Sequence, residues 1–306
     1  MEKLKQRFFY LGKLIFAVGL IIFILLQIDR EKFVTYFLEI SAYQFFLILP
    51  LSVASLYLQF LRWRYLVSSY STSFEARDLL PSFFAGFTLR LLVPGGHAEF
   101  SKIYLLPGKK GGKAMAFGME RFFQTFIKVI LMTIVVPLHF REYIMPVVFL
   151  LCGFIFLYFW LPQIPFFDRF REKEVHYHKL FAINLVYALL LFVIMTVQYY
   201  ILLNGVRQIS LYNTGQTVVY LWGAGVIPIS ISGLGVREGL AAYFLAQYGF
   251  TPASAVATSL FLFTINNIFP AIYGSYYLYK KRSHFKDIGQ TIRSSREMWK
   301  KLKNGK

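Results

Sequence analysis

Between residues 40 and 61 the chain carries no charged side chain, and runs with at most one charge recur at 11–28, 122–138, 143–161, 180–203 and 254–279. Each is close to the ~20 residues that a helix needs to cross a hydrocarbon core. Lipid offers no partner to a backbone N–H or C=O, so a segment of this kind must satisfy its hydrogen bonds internally, as a helix does. The fold class that follows is an all-α polytopic membrane protein with six full spans. Composition agrees, with 57% hydrophobic residues and a mean hydropathy of +0.53.

Two further apolar stretches are too short to cross. Residues 79–93 contain Arg90 and run into Pro94-Gly95-Gly96, after which only about ten residues precede a basic loop. Residues 217–230 run into Gly233 and Gly235, followed by a short piece at 239–248. Shifting the chain by 139 residues lays Ala85-Gly86 on Ala224-Gly225, Gly96 on Gly235 and Glu99 on Glu238. Gly and Glu are the residues least expected in apolar helices, so their coincidence marks a repeat. Each copy reads as a re-entrant helical hairpin. Three full spans separate the two, and an odd number makes them an inverted-topology repeat, an arrangement in which half-helix ends form a substrate site near the midplane.

Charge gives the orientation. The formal net charge is +18, which in a soluble chain would suggest nucleic acid, but membrane proteins collect Lys and Arg on the cytoplasmic side. With a cytoplasmic N-terminus the inside segments hold 25 Lys and Arg, and the outside loops hold four: Arg30, Lys32, Arg141 and Arg207. Both termini are therefore expected in the cytoplasm of a multi-pass cell-membrane protein, with membrane lipid rather than nucleic acid as partner and a homo-oligomer left open. Residues 11–28 read as an uncleaved signal anchor, since no small-residue cleavage site follows. Residues 1–279 form one bundle with repeat cores at 79–106 and 217–248, and residues 280–306 are a basic tail. Phe285, Ile288, Ile292 and Trp299 in that tail fit either a helix on the membrane surface or a disordered segment. The single cysteine, Cys152, excludes an intrachain disulfide.

Chemistry should gather where charges enter the membrane. Arg237 and Glu238 are the only charged residues between 208 and 279, and a central charge costs roughly 2.5–3.5 kcal/mol on insertion scales. Each glycine break leaves a helix starting inside the bilayer, with free N–H groups and a positive dipole end that attract anions. Arg90 and Lys102 can present two cations to a phosphate at the first break, and Arg237 one at the second. Glu99 and Glu238 can be helix caps, or proton and amine partners of a substrate. Glu120-Arg121, opening the span at 122–138 with Gln124 and Lys128 along it, are secondary candidates. Asn266 and Asn267 fall mid-way in the last span, where amides more often bridge helices than bind ligand. Glu172, Glu174, His176 and His178 alternate as strand ligands would, but no strand is predicted there, and neither metal nor cofactor is implied.

The motifs Leu92-Val-Pro-Gly-Gly-His-Ala-Glu99 with Lys102, Met119-Glu-Arg121 and Ser232-Gly-Leu-Gly-Val-Arg-Glu238 resemble the lysylphosphatidylglycerol synthase transmembrane-domain family, a flippase-like domain, over roughly residues 10–280. The family typically carries Pro-Gly-Arg-x-Gly-Glu where this chain has Pro94 to Glu99, an acidic residue where it has Gln124, and a proline just before Gly-Leu-Gly. Members fused to an aminoacyltransferase domain are associated with translocating aminoacylated phosphatidylglycerol, and this chain looks like a stand-alone member. The resemblance implies movement of an anionic phospholipid or a polyprenyl-phosphate-linked headgroup between leaflets. Two alternatives remain: a non-transporting accessory or assembly subunit, and a lipid-modifying enzyme. The second lacks a His-Glu-x-x-His or Gly-x-Ser-x-Gly motif.

Overall fold

A computed structural model describes residues 30–38, 40–72, 74–92, 97–164, 174–224 and 233–280, and within these the chain is helical with no strand. The elements are α1 (Arg30–Leu38), α2 (Ala42–Tyr70), α3 (Ala76–Leu92), a 3₁₀ helix (His97–Leu105), α4 (Gly111–His139), α5 (Ile144–Trp160), α6 (Tyr177–Val206), α7 (Leu211–Gly223), α8 (Val236–Ala246), α9 (Pro252–Phe263), a π turn (Thr264–Ile268) and α10 (Phe269–Lys280). Five stretches are long and apolar enough to cross a membrane: Ala42–Tyr70, Gly111–His139, Arg141–Gln163, Tyr177–Val206 and Pro252–Lys280. They correspond to the last five of the six expected spans. The first, at 11–28, lies outside the described residues, as do Pro94, Gly95, Gly96 and the tail from 281.

The helix starts follow ordinary capping chemistry. Ser41 accepts from Gln44 N while the Gln44 side chain accepts from Ser41 N, closing a capping box ahead of α2. Ser210 and Thr251 cap α7 and α9 by accepting from Asn213 N and Ser254 N, and Pro252 fills the first turn of α9, where its missing N–H costs nothing. Two helices exceed their expected bounds. α2 continues nine residues past 61, and α4 begins at Gly111 rather than near 122, so each has 29 residues and spans about 43 Å at 1.5 Å per residue. The sequence placed boundaries where charge appeared. Arg62, Lys113 and Glu120 instead point into the bundle, while Arg64 stays exposed.

Two cores organise the helices. One gathers Trp63, Leu66, Phe83, Ile103 and Phe123 around α3 and the 3₁₀ helix, and the other gathers Ile48, Tyr199, Leu203, Leu245 and Leu262 around α7, α8 and α9. α3 packs on the 3₁₀ helix and α10; α8 packs on α7 and α9. Gly274 of α10 lies so close to α3 that a Cβ there would overlap the Phe84 carbonyl oxygen, and Thr88 donates to Ala271 O at 2.6 Å across the same contact. The outer surface is apolar: Met145, Phe149 and Phe156 of α5 are exposed. Patches of this kind on five long helices are the face a protein turns to lipid.

Candidate functional site

Four cations and two carboxylates converge beside the first break. Glu99 and Lys102 lie three apart on the 3₁₀ helix, whose three-residue period eclipses them. Lys102 Nζ donates to Glu99 Oε1 at 3.1 Å and to Glu120 Oε2 at 3.0 Å, and sits 3.8 Å from the centroid of the Trp63 ring. Arg62 Nη2 donates to Glu120 Oε1 at 3.4 Å, Gln124 Nε2 donates to the same oxygen, and Arg121 pairs with Glu99 Oε2. Arg90 has no carboxylate partner among the described residues; it donates to Asn267 Oδ1 at 3.0 Å and lies 4.8 Å over Phe87. The group thus carries two surplus positive charges.

Two of its donors are spare. Arg62 Nε and Arg90 Nε are buried N–H groups with no hydrogen-bond partner among the described residues, and orphaned charged donors are costly unless something meets them. The space these side chains enclose is about 20 Å³, room for about one water. A phosphate must therefore displace side chains to enter, and the donors it would meet are already in place.

The second break is built differently. Gly233 and Gly235 both have φ of +84°, a region that L side chains enter at a cost of about 1–2 kcal/mol. Glu238 Oε2 accepts from Gly235 N at 2.7 Å, which makes it the cap of α8, while Oε1 accepts from Arg237 and, at 3.0 Å, from Ser259 Oγ. Arg237 Nε also donates to Ser259 Oγ at 2.9 Å, and the guanidinium lies 4.7 Å from the Phe263 centroid. One cation meets one carboxylate here. The two glutamates thus differ: Glu238 caps a helix start, whereas both oxygens of Glu99 go to Lys102 and Arg121.

Three sequence expectations need correction. The uncharged run ends at residue 61, yet the helix continues and Arg62 is 5% exposed inside α2. Arg121, counted among the inside charges, lies ten residues into α4, so the pair Glu120-Arg121 does not open that span. Taking both out leaves 23 of the 25 inside charges against four outside, and the bias stands. The element after the first glycine motif is a 3₁₀ helix and that after the second is an α-helix. Arg62 had a signal that went unread: Ser52, Ser55, Gln59 and Arg62 form a polar stripe at helical spacing along α2. Asn266 and Asn267 act as bridges in the π turn, with Asn266 donating to Gln198 Oε1 at 2.9 Å and Gln198 donating to Ser52 Oγ at 2.8 Å. His97 and its neighbours through Ala98 carry no described side chain.

A family model described as the lysylphosphatidylglycerol synthase TM region matches residues 10–274. The chain belongs to this family. The match spans both breaks and the buried cluster, and it supports a membrane-lipid-related role for a multi-pass membrane protein. No curated protein and no solved structure matches the chain.

Proposed function

We propose that the protein moves an anionic lipid, or a lipid-linked anionic headgroup, between the leaflets of the cell membrane. The observation that carries this reading is the buried group of four cations against two carboxylates, with Arg62 Nε and Arg90 Nε unpartnered among the described residues. Fixed donors in a low-dielectric interior favour an anionic phosphate far more than the same donors in water. A lipid suits the site because its chains stay in the bilayer while the headgroup enters. In this reading the two broken-helix pairs are re-entrant hairpins of an inverted repeat, both termini are cytoplasmic, and the π-turn amides tie one repeat to the other. Arg90, Lys102 and Arg62 hold the phosphate; Glu99 and Glu120 hold those cations when no lipid is bound.

Arg90→Gln is the discriminating variant, because it removes a cation that no described carboxylate relies on and keeps an amide for Asn267. Leaflet exchange of a fluorescent phosphatidylglycerol in reconstituted vesicles is expected to fall to background, with the melting temperature unchanged. Exchange equal to wild type overturns the proposal. The second repeat favours a rival in one respect: Arg237 and Glu238 satisfy each other, as they would in a non-transporting assembly subunit. That rival predicts normal growth but altered complex formation in the same variant. We also propose that no chemical step occurs, and a chemically altered lipid in those vesicles would sink that part.

A further inference from the structure

Beside the charged cluster, and separate from it, lies an apolar groove of about 680 Å³, within the ~300–1,000 Å³ of known small-molecule sites. Its long wall is one face of α4, on which Gly111, Met115, Gly118 and Phe122 recur at helical spacing, and α5 closes the other side through Leu157. From Gly111 to Phe122 the wall descends about 16 Å, the depth of one leaflet of a ~30 Å core. Lys110 stands at its shallow end, and Tyr177, whose ring lies 5.8 Å from that of Phe123, lines it farther down with a buried hydroxyl that has no hydrogen-bond partner among the described residues.

We propose that this groove seats one acyl chain of a phospholipid from the adjoining leaflet, with the phosphate end at Lys110 and the chain running down past Tyr177. The assignment deepens the lipid-carrier reading and rests on it for its purpose, since the groove would be where a lipid waits before its headgroup enters the cluster. Phe100 lines the groove and meets Phe117 edge-on at 5.6 Å, and the Arg121 guanidinium lies 5.2 Å over Phe117, so one aromatic pair divides the two sites. The depth selects the occupant: a chain of one leaflet fits end to end, whereas a long polyprenyl chain outruns the wall. A chain leaving the bilayer for the groove gains no hydrophobic free energy. Retention therefore comes from packing and from the polar end, which favours an anionic headgroup beside Lys110. Burial holds the Lys110 ammonium below its ordinary pKa, a penalty that a neighbouring phosphate offsets.

The test is photolabelling in phosphatidylcholine nanodiscs with a trace of phosphatidylglycerol carrying a diazirine in its acyl chain, adducts being mapped by mass spectrometry. Adducts are expected around Met115 and Met119. Gly118 has nothing within 4 Å of an added Cβ, so Gly118→Phe can start its side chain from this groove-lining position without a clash at Cβ. It should lower those adducts roughly tenfold, equal to about 1.4 kcal/mol, at an unchanged melting temperature. Lys110→Gln should erase the preference for this probe over its phosphatidylcholine counterpart. Adducts spread along Phe149 and Phe156 in wild type and Gly118→Phe alike would overturn the proposal, as would stronger labelling by a polyprenyl-phosphate probe. Leaflet exchange on the same samples separates the two ideas: groove adducts without exchange sink transport alone, and exchange with only dispersed labelling sinks the groove alone.

Discussion

Glu120 is the residue on which the charged group turns. Its oxygens accept from Arg62, Lys102 and Gln124, and its own exposure is only 6%. Removing one partner from a buried ion cluster costs about 3–5 kcal/mol, because the remaining charges stay desolvated. Glu120→Gln is accordingly expected to lower the melting temperature in detergent far more than Arg90→Gln does. Two glycines make a second comparison. A Cβ at Gly274 would overlap the Phe84 carbonyl oxygen, while at Gly118 it meets open space. Gly274→Ala should cost about 1–3 kcal/mol through forced separation of α3 and α10, and Gly118→Ala close to nothing, read by the same melts.

At the scale of elements, the two glycine motifs share their spacing to a glutamate, and the helices that carry those glutamates differ. α8 begins where two glycines at φ +84° turn the chain and Glu238 meets the exposed N–H of Gly235. Gly235→Ala must hold a side chain in that left-handed region and should cost about 1–2 kcal/mol. A smaller loss in the melt would mean that the turn relaxes to another shape. The 3₁₀ helix at His97–Leu105 instead aligns Glu99 with Lys102, so its carboxylate serves ion pairing. The positions of both glutamates were legible in the sequence, since each follows a glycine by three residues. Their roles were not, because a cap and a salt bridge need the same residue at the same spacing and differ only in which neighbour arrives.

At the scale of the molecule, side is the quantity that matters. α4 and α6 end at His139 and Val206, and α2 ends at Tyr70, against the start of α4. After Cys152→Ser removes the exposed native thiol, Arg141→Cys and Arg207→Cys should react with an impermeant maleimide from one face of the membrane. Arg77→Cys and Lys109→Cys should react from the other. Labelling of Arg77→Cys and Arg207→Cys from the same face would overturn the inverted repeat proposed above.

The sequence alone determined that the chain crosses the membrane repeatedly as helices, because a 20-residue uncharged run has no other way to satisfy its backbone in lipid. It also marked both glycine breaks and the residues Arg90, Glu99, Lys102, Arg237 and Glu238. It misplaced Arg62 and Arg121 because a charge in sequence reads as the end of a span, and nothing local distinguishes a residue at the interface from one turned inward. Only the tertiary structure decided that. Packing of α2, α4 and the 3₁₀ helix brings residues 62, 99, 102, 120 and 121 together, and burial is affordable for each only because the others are there to pair with it.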